Sequence, residues 1–157
     1  MNQNKEKSFP HRPGGVVVIA SINGLGFLIT VVFWALVFFK KLVPPPGDLV
    51  NLSERANAAT TRGFMIGDIV WSAPLLLMAA LGLWRLRSWG WTAAQMVNAL
   101  WCFSMTVVWV RDAYTVLSPG GVIFFPFVPV AIWATYYLWK RRRLFWGPEA
   151  KQVRRPE

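Results

Sequence analysis

Four apolar stretches free of internal lysine and arginine dominate the chain, at roughly 15–39, 63–84, 91–110 and 121–139. At about 1.5 Å of rise per residue, each is long enough, with some end effects, to cross a hydrocarbon core of about 30 Å. Only 15% of the residues are charged, against about 25% in soluble chains, so the surface of a water-soluble globule could not be kept polar. Disorder is excluded by the abundance of apolar and aromatic residues, 55% and 15%. Runs such as Val16-Val17-Val18-Ile19 and Leu75-Leu76-Leu77 would put apolar groups on both faces of a barrel strand. The expected fold is therefore an all-α membrane protein, a four-transmembrane-helix bundle.

Lys5, Lys7 and Arg12 precede the first stretch in the manner of a secretory signal. The run that follows is far longer than a signal core of about 7 to 15 residues, so it reads as an uncleaved anchor. Of the 17 Lys and Arg, only Lys40, Lys41, Arg55, Arg62 and Arg111 fall on the side opposite the termini in a four-span arrangement. The rest stand in the N-tail, in the Arg85/Arg87 loop, and at Lys140, Arg141, Arg142, Arg143, Lys151, Arg154 and Arg155. The positive-inside bias then predicts both termini in the cytoplasm, with Lys40-Lys41 as local dissent. The domain plan is an N-tail over 1–14, a membrane domain over 15–146 and a basic C-tail over 147–157, in a cell inner membrane.

Aromatic residues agree with these borders, because indole and phenol rings favour the interface. Trp84, Trp89, Trp91, Trp139 and Trp146 would ring the cytoplasmic side, and Trp34, Phe38, Phe39, Phe64, Trp109 and Tyr114 the other. The net charge of +10 bunches only at Lys140, Arg141, Arg142 and Arg143. Directly after a spanning helix, such a cluster is explained by topology and by anionic head groups, at about 1 kcal/mol per charge. Membrane lipids are the expected partners, with another membrane protein or a second copy as a further class, and nucleic acid is not expected.

Loop chemistry adds detail. Pro44-Pro45-Pro46-Gly47 is a stiff element that cannot continue a helix. After it Asp48 or Ser53 can cap a new helix, and Leu52 to Thr61 reads as an extension of the second span or a short surface helix. Pro126 and Pro129 should kink the outer half of the fourth span, and Pro74 should bend the second more mildly.

Polar side chains inside hydrocarbon are costly without partners, so they mark the informative positions. An inner group comprises Asn23 on the first helix and Gln95 and Asn98 on one face of the third, a face that continues through Cys102, Thr106 and Trp109. Ala20, Asn23, Gly26, Thr30 and Trp34 form a similar stripe on the first helix, and the two stripes are expected to face each other as interhelical glue. An outer group comprises Asp68, with Arg62, Arg111, Asp112 and Tyr114 near its level. An unaided Asp at that depth costs up to about 3 kcal/mol, which calls for a basic partner, with Arg62 and Arg111 as candidates, a hydrogen-bonded network or protonation. Asp68, Ser72, Ala79 and Gly82 make an inward stripe on the second helix.

Catalytic signatures are scarce. Cys102 is the only thiol and His11, in the N-tail, the only histidine, which leaves no disulfide, no thiolate cluster and no imidazole within the bilayer. No HExxH, nucleophile elbow or phosphate-binding glycine loop is present. No metal, cofactor or enzymatic activity is expected. The segments Trp84-Arg85-Leu86-Arg87-Ser88-Trp89-Gly90-Trp91, Arg111-Asp112-Ala113-Tyr114 and Ser118-Pro119-Gly120-Gly121 resemble those of small uncharacterised four-span membrane proteins of bacteria or archaea. The resemblance runs from about Gly63 to Trp146. It implies a four-helix bundle in a prokaryotic inner membrane and brings no residue roles. The expected function is a non-enzymatic membrane protein that works by association with lipid or a membrane partner. The alternatives are a proton- or cation-linked solute carrier using Asp68 and, less well supported, a lipid-modifying enzyme around Asp68, Arg111 and Tyr114.

Overall fold

The computed structural model describes residues 12–114 and 119–146. Lys5, Lys7, His11, Ser118, Lys151, Arg154 and Arg155 lie outside the described residues, as does the C-tail over 147–157. Among the described residues the fold is all-helical. Three helices are long and apolar enough to cross a membrane: Gly14–Phe39, Leu52–Trp84 and Ser88–Tyr114.

Helix α1 (Gly14–Phe39) starts behind Pro13, whose extended backbone (φ −58°, ψ 130°) sets the first turn. It stops at Lys40-Lys41, where Lys41 adopts a left-handed φ of 50° and Leu42 N–H closes onto Val37 O at 3.1 Å. The prolines then allow only a short 3-10 turn, Pro46–Asp48. Asn51, not Asp48 or Ser53, caps the next helix: its side-chain oxygen accepts from Ser53 N–H at 3.0 Å.

The second rod runs unbroken from Leu52 to Trp84, so Leu52 to Thr61 is an extension of the span rather than a separate surface helix. It comprises α2 (Leu52–Gly67), a π turn (Asp68–Ser72) and α3 (Ala73–Trp84). Pro74 accounts for the π turn. Its ring clashes with the carbonyl four residues back and it has no N–H to donate there. The backbone widens instead, and Ala73 N–H reaches Asp68 O, five residues behind. The expected bend is thus a register change placed at Asp68.

At the other end the rod closes with Leu86 at φ 50° and Arg87 N–H on Gly82 O at 2.8 Å. Leu86 is itself buried, which fixes the tight turn into α4 (Ser88–Tyr114). The fourth apolar stretch is not one long helix. It is split into α5 (Pro119–Phe124) and α6 (Phe127–Lys140), followed by a single turn, α7 (Arg143–Trp146). Pro126 and Pro129 cannot donate, and Val128 N–H falls back on Phe125 O at 2.9 Å.

Packing is sequential. Helix α3 lies between α1 and α4, and α6 lies on α4 with a lighter contact to α1. Gly82 and Gly90 meet backbone to backbone, with no room for a Cβ on either, so α3 and α4 cross at their closest there. Val16, Ile19, Ala79, Leu83, Ala94 and Leu138 fill the core at this end, and Phe145 of α7 plugs it. Small residues draw the helices together at the closed end. Toward the other end the bundle opens.

Candidate functional site

The opening is a cavity of about 330 Å³ walled by residues of α1 to α6. Its floor is Ile19, Leu76, Val97 and Ala134, the top of the packed core, and its rim includes Trp34, Thr61 and Arg111. From Ile19 to Trp34 along α1 it extends roughly 22 Å by helical rise. The walls are predominantly apolar. Five cavity rings form an edge-to-face series: Trp34 on Phe33 (4.9 Å between centroids), Phe33 on Phe124 (6.3 Å), Phe124 on Trp101 (5.8 Å) and Trp101 on Phe127 (6.4 Å). The indole nitrogen of Trp101 is buried with no hydrogen-bond acceptor among the described residues.

Asp68 enters the cavity from the π turn, about 10 Å in from Thr61 by helical rise. Its Oδ2 accepts from Trp34 Nε1 at 2.9 Å and its Oδ1 from Ser72 Oγ at 2.9 Å. Of the expected alternatives the carboxylate takes the hydrogen-bonded network, and the ion pair with Arg62 or Arg111 is not made. Arg62 reaches back to the carbonyl of Val43 at 3.4 Å, holding the proline loop against α2. Arg111 folds onto its neighbour Asp112, with Nη2 2.8 Å and Nε 3.1 Å from Oδ1, and that carboxylate is buried. The outer group is therefore split: Asp68 and Arg62 on the second rod each take neutral partners, and Arg111 and Asp112 pair with each other on α4. Tyr114 stands at the exposed end of α4, away from the cavity lining.

The inner group is also rearranged. Helix α1 packs chiefly on α3, and although Asn23 and Asn98 both line the cavity, Asn23 does not hydrogen-bond to Gln95 or Asn98. Asn23 donates to Ile19 O of its own helix at 2.8 Å and lines the cavity near its floor. Gln95 and Asn98 instead bind Thr135 of α6, at its carbonyl (3.3 Å) and its hydroxyl (3.1 Å). The α4 face does not continue inward, for Thr106 and Trp109 are exposed. On the second rod the inward stripe holds: Ser72, Ala79 and Gly82 are buried.

A second depression, about 300 Å³, lies between the outer half of the second rod and α4. It is lined by Gly63, Gly67, Trp71, Leu100 and Phe103, and shares Phe64, Asp68, Ser72 and Ser104 with the cavity. The carboxylate thus sits where the two spaces join. At the closed end, Trp91 donates to Leu138 O at 2.9 Å and packs on Trp139 and Trp146. Arg12 lies over Trp84, Lys140 over Tyr136 and Arg142 over Trp139, at 4.5 to 5.4 Å. Arg141, Arg142 and Arg143 are exposed beside them.

Trp34, Ser72 and Thr135 are the partners that residue-by-depth reasoning did not assign. The indole N–H of Trp34 is a donor that burial drives toward an acceptor, and that is the one signal in the sequence pointing to its pairing with Asp68. No protein-family model, no curated protein and no solved structure matches this chain.

Proposed function

We propose that this chain is a four-span, multi-pass protein of a cell inner membrane that acts without catalysis, by holding a lipid-like molecule in the cavity between its helices. The cavity itself carries this reading: it is predominantly apolar, walled by α1 to α6, closed at one end by the packed core, with Asp68, Ser72 and Arg111 toward the open end and the amides of Asn23 and Asn98 nearer the floor. An amphiphile with its tail toward Ile19 and Val97 and its head toward Asp68 matches that distribution.

Four spans are supported by length. Residues 119–140 cover roughly 33 Å at helical rise, comparable with the hydrocarbon core. Cytoplasmic termini are supported by the positive-inside bias. The basic residues stacked on Trp84, Tyr136 and Trp139 at the closed end suit an interface rich in anionic head groups. The likeness to small four-span prokaryotic membrane proteins points the same way.

Purification in detergent, denaturation and mass spectrometry of the extract tests the proposal. One amphiphile should be enriched over bulk lipid in the wild type and depleted in Ser104→Phe and Ala131→Phe, which fill the cavity from α4 and α6. Equal lipid content in wild type and both folded variants would refute it. Cysteines introduced at residues 8 and 152 in a Cys102→Ala background should both resist an impermeant thiol reagent in intact cells, and labelling of either overturns the topology.

A further inference from the structure

Resting on that cavity reading, we propose that the site selects a cationic amphiphile, whose ammonium group pairs with Asp68 while its tail lies against the apolar floor. Charge inventory is the first reason. Of the charged residues at or beside the cavity, Arg111 and Asp112 pair with each other at 2.8 Å, and Arg62 is turned to the carbonyl of Val43. Asp68 has only neutral donors, the Trp34 indole and the Ser72 hydroxyl. Among the described residues no lysine or arginine nitrogen lies within 4.0 Å of it. An ionised carboxylate offers about four acceptor positions, so roughly two remain unused.

Ring chemistry is the second reason. The carboxylate is hydrogen-bonded to the first member of the series Trp34, Phe33, Phe124, Trp101 and Phe127. Aromatic faces attract cations and repel anions, most strongly where water is excluded. Access is the third. The depression beside Gly63 and Gly67 reaches the same carboxylate from between the second rod and α4, where the missing side chains leave width for a head group. Anchoring an anion here would need Arg111, whose guanidinium is already engaged by Asp112.

Asp68 is half-buried at the junction of the two spaces, and the attraction between an arriving ammonium and its carboxylate is strengthened by the apolar surroundings. The test uses the full chain in nanodiscs and calorimetric titration with three C12 probes: dodecyltrimethylammonium, dodecanol and dodecanoate. The ammonium should bind at least about tenfold more tightly than the other two, and Asp68→Asn should remove that preference while Asp68→Glu keeps it. Tight binding of dodecanol or dodecanoate at the level of the ammonium would overturn the cation assignment and leave the cavity reading standing. Binding of none of the three would overturn both. The ranking of probes on the wild type decides the matter even if Asp68→Asn does not fold.

Discussion

The indole N–H of Trp34 donates to Asp68 Oδ2 at 2.9 Å, tying the outer half of α1 to the π turn of the second rod. It is a polar cross-link beside the cavity, where the small-residue contacts of the closed end no longer hold the helices together. Trp34→Phe keeps the ring and deletes the donor. It should destabilise the protein by about 1 to 2 kcal/mol, the range for a charge-assisted bond moderated by a membrane surrounding. Ser72→Ala should cost less, since Trp34 still engages the carboxylate. Unfolding in mixed micelles followed by circular dichroism measures both, and a larger loss from Ser72→Ala would contradict this ordering.

Gly82 and Gly90 should be the least replaceable glycines. A Cβ on either would land on the backbone of the other helix, which cannot move aside as a side chain can. Gly82→Ala and Gly90→Ala should each cost about 1 to 3 kcal/mol through forced separation of α3 and α4. Gly24→Ala is the contrasting case, because its Cβ would meet Ala80 Cβ at an ordinary 3.7 Å. Helix propensity then favours alanine by about 0.5 to 1 kcal/mol. Thermal unfolding of the three variants should separate them in sign.

The contrast between these sites explains how far the sequence could be read. Apolar length located the three helices long and apolar enough to cross a membrane because hydropathy is a property of each segment alone. The second helix nevertheless begins at Leu52, since a helix does not end where its side chains become polar. Partner choice is not a segment property. The stripes of α1 and α4 look alike, yet Gly24 and Gly26 of α1 meet Ala80 and Leu76 of α3, leaving Gln95 and Asn98 to Thr135. Arg62 and Arg111 share the approximate depth of Asp68 but point to Val43 and Asp112. Depth along a helix can be counted from sequence, whereas azimuth past a π turn cannot, and the π turn sits at Asp68 itself.

Asn98 and Thr135 should be energetically coupled across α4 and α6. Asn98 donates to the Thr135 hydroxyl at 3.1 Å, while Gln95 uses the Thr135 carbonyl and needs no side chain there. Asn98→Ala, Thr135→Val and the double variant form a cycle whose coupling should be about 0.6 to 1.7 kcal/mol. Gln95→Ala paired with Thr135→Val should show markedly weaker coupling. Equal coupling in both cycles would mean that the two amides act through a shared backbone shift instead of through their own bonds.

Phe145 makes the short α7 turn structural. It is 1% exposed, whereas its neighbour Trp146 is 54% exposed and touches Trp91 at 4.8 Å between centroids. Phe145→Ala removes a large side chain from the plugged end of the core and should cost about 3 to 5 kcal/mol. Trp146→Ala removes an interfacial ring contact and should cost about 1 kcal/mol. Because the plug lies at the opposite end from Asp68, Phe145→Ala should lower the unfolding temperature while leaving relative affinities for the three C12 probes unchanged in the folded fraction. A shift in probe ranking would show that the closed end and the cavity are mechanically coupled through α6.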